Sequence, residues 1–442
     1  MPDGFSAGDT AFVFICAALV MLMTPGLAFF YGGMVRVKST LNMLVMSFIT
    51  LAIVSVLWVL YGYSLAFGPD AGAGLIGNLD FLGFRGIGMN DLSGTIPVTG
   101  FAAFQLMFAI ITPALISGAI ADRAKFTAWS LFVALWVTVV YFPVAHWVFA
   151  FDKGNGGWLG DRNGVIDFAG GTAVHINAGV AGLALALILG KRIGFKKDPM
   201  RPHSLPLVML GSGLLWFGWF GFNAGSALAA NGVAGMAFLN TQVATAAAVL
   251  GWLAYEKIKH GAFTTLGAAS GAVAGLVAIT PACGSVSALG AIAIGVIAGV
   301  ACAAAISLKY KLGFDDSLDV VGVHLVGGVI GSLLIGLFAT GHVGQTAQGL
   351  FYGGGFEQLG KQALGVVAVA AYSFVVTGIL GLAIHKTIGF RVSEEVEVSG
   401  IDQAEHAESA YDFTAVGASL VRAVSAAPAA TASTAEKAEV DA

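Results

Sequence analysis

The sequence predicts an all-α polytopic membrane protein of eleven transmembrane helices, with its N-terminus outside and its C-terminus in the cytoplasm. Three observations carry this. Apolar residues make up 57% of the 442 and charged residues only 10%, with a mean hydropathy of +0.86, so a water-facing surface cannot be assembled and the solvent is lipid. The apolar residues run in long charge-free stretches. The basic residues collect in alternate connections.

Charge-free stretches cover residues 10–35, 39–69, 92–121, 126–151, 168–190, 320–356 and 362–385, and each holds one helix of the ~20 residues that cross a bilayer. Residues 202–255 and 260–308 are about twice as long, with turn-like breaks at Asn223–Gly232 and Thr280–Ser287, so each holds two. An odd total of eleven puts the termini on opposite faces. One set of alternate connections, together with the C-terminal segment, holds 17 of the 21 Lys and Arg residues; the other holds only Arg85, Lys153, Arg162 and Lys361. Cytoplasmic loops retain basic residues, which fixes the orientation. The opening MPDGFSAGDT has no basic region, so no cleaved signal peptide is read there, and the first span can serve as the export signal.

Sixty-two glycines suit membrane helices that pack closely through small residues. A net charge of −4 with no basic footprint argues against nucleic acid. Cys16, Cys283 and Cys302 are scattered through apolar stretches and suggest neither disulfide nor zinc. Residues 1–412 are read as the membrane domain with a cytoplasmic C-terminal segment from about 390, and the Ala-rich residues 413–442 as a disordered tail.

Span five carries Val174-His175 followed by Gly179 and Gly182, and span ten carries Val323-His324 followed by Gly328 and Gly331. Both read VH-x3-G-x2-G. Spans five apart cross in opposite directions, the mark of an inverted five-helix repeat pairing spans 1–5 with 6–10, plus a final helix. His175 lies eight residues after Asp167 and His324 five after Asp319, about 12 and 8 Å in from opposite faces. The two imidazoles meet near the midplane. Ionisable groups in hydrocarbon are costly and usually line a pathway, although each His also reads as a satisfied polar residue between helices. Desolvation disfavours the protonated ring, so the pair is read as neutral, sharing one N–H···N bond, and suited to a small solute that both donates and accepts. A bis-imidazole haem site is the rival chemistry, with His146 unassigned.

The chain resembles the ammonium transporter (Amt/Mep/Rh) family, of the bacterial Amt type, over residues 10 to about 412, through DFAGGTAVHINAGVAGLALALILGKR, GWFGFNAGSA, TPACG, DVVGVH, MTPGLAFFYGG and AFQLMF. The resemblance implies a homotrimer in the bacterial inner membrane, each protomer with its own pore, transporting ammonium and its analogue methylammonium without enzymatic chemistry or cofactor. His175 and His324 resemble the twin pore histidines, and Phe108 and Phe222 the stacked gate. Trp219, Phe222 and Ser226 fall at i, i+3 and i+7 on one helical face, setting an aromatic ring beside a hydroxyl acceptor able to hold ammonium; an interfacial aromatic belt is the plainer alternative and accounts for some of Trp216, Phe217 and Phe220. Ser226, Phe104, Phe149, Trp219 and Asp167 are assigned to recruitment, with Asp167 equally readable as a helix N-cap. Phe149 stands where the family usually has tryptophan; it keeps a π face but lacks an N–H donor, and Trp147, about 200° around the helix, does not replace it. A PII-type nitrogen-regulatory protein is the implied partner at the inner face. An ammonium sensor signalling through the cytoplasmic tail and an Rh-type neutral gas channel are the alternatives.

Overall fold

The computed structural model describes residues 2–343 and 347–412; the tail expected to be disordered lies outside them. Ten helices among the described residues are long and apolar enough to cross a membrane. They are α1 (Ala7–Met34), α2 (Val37–Phe67), α3 (Val98–Ile120), α4 (Phe126–Phe149), α5 (Gly171–Leu189), α6 (Leu205–Gly225), α7 (Gly232–His260), α9 (Ala288–Leu312), α10 (Val321–Phe338) and α11 (Glu357–Thr387). Between α7 and α9 lies α8 (Thr265–Ile279), an apolar helix of 15 residues. At 1.5 Å per residue α8 is about 22 Å long, short of the ~30 Å hydrocarbon layer. Nearly all of its residues are buried inside the protein, so it has little lipid-facing surface to match to that thickness.

Charge-free windows located the helices but misjudged three ends. The window from residue 92 opens on a two-residue hairpin, β1 (Leu92–Ser93) with β2 (Ile96–Pro97), before α3 begins. In the window to residue 356, α10 stops at Phe338, and among the described residues only the 3-10 turns Gly341–Val343 and Leu350–Tyr352 follow it. The window from residue 168 opens on a bent, non-helical entry, with Gly170 left-handed, because helical backbone starts only at Gly171. Both breaks inside the long windows fall as expected, with α6 ending at Gly225 and α8 at Ile279. A membrane interior demands internal hydrogen bonding but not continuous helix, and buried loops meet the demand wherever partners are supplied. Absence of charge therefore marks depth better than it marks helix.

α1 packs along α6, and α7 along α9. The connection into α10 is anchored by charge: Arg192 donates to both Asp315 oxygens and to Asp122, while the fully buried Arg123 donates to Ser317 Oγ and to the Asp315 and Ala119 carbonyls. This cluster holds residues 315–317 beneath the start of α10.

The C-terminal segment from about residue 390 docks on the helix bundle. Phe390 O accepts from Lys125 N and Val392 N donates to Arg123 O. Two short helices follow, α12 (Glu394–Ser399) and α13 (Ile401–His406). Their carboxylates serve helices elsewhere in the chain. Asp402 accepts from Leu41 N and Asn42 N at 3.0 and 2.8 Å, in the first α-helical turn of α2 after its 3-10 opening Val37–Ser39, and Glu405 accepts from Phe126 N at 3.0 Å, the first residue of α4. Free N–H groups at a helix start favour a carboxylate, so the segment caps two membrane helices in trans. Asp402→Ala is expected to cost about 1–2 kcal/mol of docking, the usual worth of a lost cap, seen as faster proteolysis within residues 388–412. Unchanged cleavage would show that apolar contacts alone hold the segment.

Candidate functional site

Both predicted histidines sit in wide π-helical turns at the starts of their helices, Gly171–Ile176 and Val321–Leu325. Helical depth counted from Asp167 and Asp319 is therefore too great; the imidazoles stand four and three residues into helices that begin inside the protein. A helix that begins in a buried setting needs partners for its first N–H groups. At α5 the partner is Asp167, whose oxygens accept from Gly170 N, Gly171 N, Thr172 N, Ala173 N and Thr172 Oγ1 at 2.5–3.1 Å. At α10 it is Asp316, accepting from Val320 N and Val321 N at 3.1 and 2.7 Å. Asp316, not Asp319, is thus the counterpart of Asp167. The signal was in the sequence, since each aspartate precedes its histidine by eight residues.

The glycines of VH-x3-G-x2-G bring the two helices together reciprocally. A Cβ on Gly179 would lie 2.5 Å from Leu325 N, and one on Gly328 would lie 3.0 Å from Ile176 Cγ1 and 3.2 Å from His175 Cβ. Each glycine thus receives the residue that follows the other helix's histidine. The rings meet as a result. His175 Nδ1 and His324 Nδ1 are 3.3 Å apart, with ring centroids at 5.4 Å and planes 24° apart. In a neutral pair one Nδ1–H donates and the other Nδ1 accepts, so one outer Nε2 accepts and the other donates. His175 Nε2 has no protein partner.

On one side of the pair the chain of rings continues. Trp219 stacks on His175 at 5.4 Å and 21°, and its Nε1–H donates to Thr280 Oγ1 at 2.8 Å. Phe222 lies 6.2 Å from His175 and stacks on Phe108 at 4.1 Å and 19°. All four rings are almost fully buried. Beyond Phe108 opens a chamber of about 460 Å³ whose walls include Gln105, Phe108, Phe149, Asp167 and Ser226. Ser226 Oγ–H donates to Phe222 O at 2.8 Å, which leaves the oxygen's lone pairs as acceptors. On the other side, Tyr31, Leu318, Asp319 and His324 surround a narrow gap, and Met34, Leu318 and Asp319 continue into a second chamber of about 290 Å³ edged by Arg192, Lys196 and Arg201.

Two residues assigned to recruitment lie outside the first chamber. Trp219 is on the histidine side of the phenylalanine stack, because Thr280 fixes its indole there. Phe104 is fully buried behind Phe108, in a T-shaped contact at 5.0 Å, and does not reach the chamber wall. Trp147 donates to Leu75 O and packs on Tyr372, away from the chamber. His146 is bound by Ala66 O through Nδ1 and faces Asp70, remote from the histidine pair. Thr280, Gln358 and Lys361 were not anticipated; no spacing rule links them to the motifs.

The model of the Ammonium Transporter Family matches residues 11–411. The chain belongs to that family. It is similar to the ammonium transporter of Mycobacterium tuberculosis (strain ATCC 25618 / H37Rv), 60% identical over 95% of this chain and 93% of the relative, and to that of Bacillus subtilis (strain 168), 49% identical over 91% and 98%. Among solved structures, Saccharomyces cerevisiae Mep2 aligns with a TM-score of 0.81 at 38% identity, covering 89% of this chain and 91% of that one. A protein described as Sensor Amt Protein aligns with a TM-score of 0.83 at 32% identity, covering 90% and 98%. This ammonium transporter family member is a multi-pass protein of the bacterial cell membrane.

Proposed function

We propose that the protein captures ammonium in the outer chamber, where ammonium gives up its proton to the water of that chamber, and passes ammonia along His175 and His324 to the cytoplasm. The observation that carries this reading is the unbroken file of buried rings, Phe108, Phe222, His175 and His324, between two chambers. The π faces of Phe108 and Phe149 and the lone pairs of Ser226 suit a small cation with N–H donors. The closed ring stack offers no replacement for a hydration shell, so the charge stays outside while ammonia passes. The imidazole pair donates and accepts, as ammonia does. Asp167 shapes the chamber by holding the entry to α5 and favours a cation electrostatically.

The same reading takes α8 as the eleventh span, with the N-terminus outside and the C-terminus in the cytoplasm. It takes α1–α5 and α6–α10 as inverted repeats. Matching Asp-x7-His spacing and reciprocal glycine contacts support the pairing. Residues 1–412 form the transport domain, assembled as a homotrimer, with a PII-type protein as candidate partner at the inner face and no enzymatic step. A second reading, ammonium sensing, is favoured by the C-terminal segment's hold on the starts of α2 and α4, through which its release would reach the helices.

The test is ammonium and methylammonium uptake by protein reconstituted in vesicles. Saturable uptake is expected, with Ser226→Ala raising the half-saturating concentration about tenfold, the worth of one hydrogen bond to a charged group. Wild-type protein that takes up neither solute would overturn the reading. Membrane current under the same gradient separates proton transfer along the histidines from neutral gas passage.

A further inference from the structure

The outer chamber contains a positive charge that cation capture does not call for. Lys361, in the second turn of α11, lines it together with Gln358, Val165 and Ile166, and Asp167 and Lys361 are the charged residues among its described walls. The Lys361 Nζ lies 2.7 Å from Glu357 Oε1, yet the glutamate side chain is 76% exposed and is not part of the wall. A cation in the chamber therefore meets the lysine, while bulk water meets the glutamate. Asp167 does not offset it fully, since both of its oxygens are engaged in capping the start of α5.

We propose that Lys361 is an affinity-setting residue that holds down ammonium occupancy of the outer chamber, with Glu357 trimming its field; the inference rests on the reading that this chamber captures ammonium. A unit charge about 10 Å away through a watery dielectric changes cation occupancy about twofold, and salt screens that effect. Repulsion acts alike on the waiting cation and on the cation that reaches the gate still charged, so the bound state and the barrier rise together. Uniform weakening of this kind raises the half-saturating concentration and leaves the maximal flux unchanged. The lysine thereby keeps the chamber from filling with other monovalent cations, while the rings and the Ser226 hydroxyl supply the preference for N–H donors.

The experiment is the half-saturating ammonium concentration of the full-length protein in vesicles at low and high ionic strength, for wild type, Lys361→Gln, Lys361→Glu and Glu357→Gln. At low salt the expected shifts are about twofold down, about fourfold down and somewhat under about twofold up, shrinking toward unity at about 0.5 M salt. Thermal unfolding and maximal flux should stay near wild type in all three. Lysine and glutamate variants that shift in the same direction, or shifts indifferent to salt, would overturn the inference. So would a flat series at low salt. If Ser226→Ala weakens capture while the lysine series is flat, only this inference falls; if wild type shows no saturable uptake, the reading of the chamber falls first.

Discussion

Asp167→Ala is expected to lower the unfolding temperature of the detergent-solubilised protein by several degrees and to abolish ammonium uptake. The carboxylate accepts from four backbone N–H groups and one hydroxyl, all buried. Each buried donor left without a partner costs about 1–3 kcal/mol, and with partial relaxation the total is about 3–5 kcal/mol. The damage is local to Gly170–Ala173, immediately before His175, so the imidazole loses its position even where the protein still folds. Asp167→Asn keeps one acceptor oxygen and should fall between. Asp316→Ala, which strips two N–H partners at α10, should cost less than Asp167→Ala. Equal melting of wild type and Asp167→Ala would mean that other contacts hold the start of α5.

His175→Ala and His324→Ala are each expected to cut ammonium uptake at least about tenfold. Removing either ring breaks the 3.3 Å contact and leaves a gap beside the survivor. A gap with a polar wall is roomy enough for water once an imidazole is gone. Water there supplies solvation that the intact file withholds, so the variants should gain a potassium leak as they lose ammonia flux. His175→Ala should be the more disruptive, because His175 also supports the Trp219 stack and approaches Phe222. Uptake at the wild-type rate and selectivity in both variants would remove the pair from the pathway.

Much of this was legible in the sequence. Windows without charge located α1–α11, because desolvating a charge is costly and helices are the default way to satisfy a backbone in lipid. The histidines and their glycines were legible from one repeated spacing, and Phe108, Phe149, Asp167 and Ser226 do gather around one chamber. Contacts set by non-helical backbone were not. Where α5 begins depends on Asp167 reaching forward to Gly170–Ala173, a capping geometry that a count of residues cannot distinguish from continuous helix. Trp219 shares a helical face with Phe222 and Ser226, but its indole direction is decided by Thr280, 61 residues away. Lys361 is farther still in sequence from Asp167 and Ser226, with which it shares the chamber. Its charge counted only toward topology until the fold brought it to the chamber.

In the proposed mechanism a closed, dry file of rings passes a solute only after it has given up its charge. The most direct measurement compares ammonium and potassium flux through the reconstituted wild-type protein under equal gradients. The account predicts saturable ammonium uptake with no potassium flux above protein-free vesicles, even at a large potassium excess. Potassium carried at a rate comparable with ammonium would contradict it, because potassium has no proton to leave behind at the Phe108–Phe222 stack.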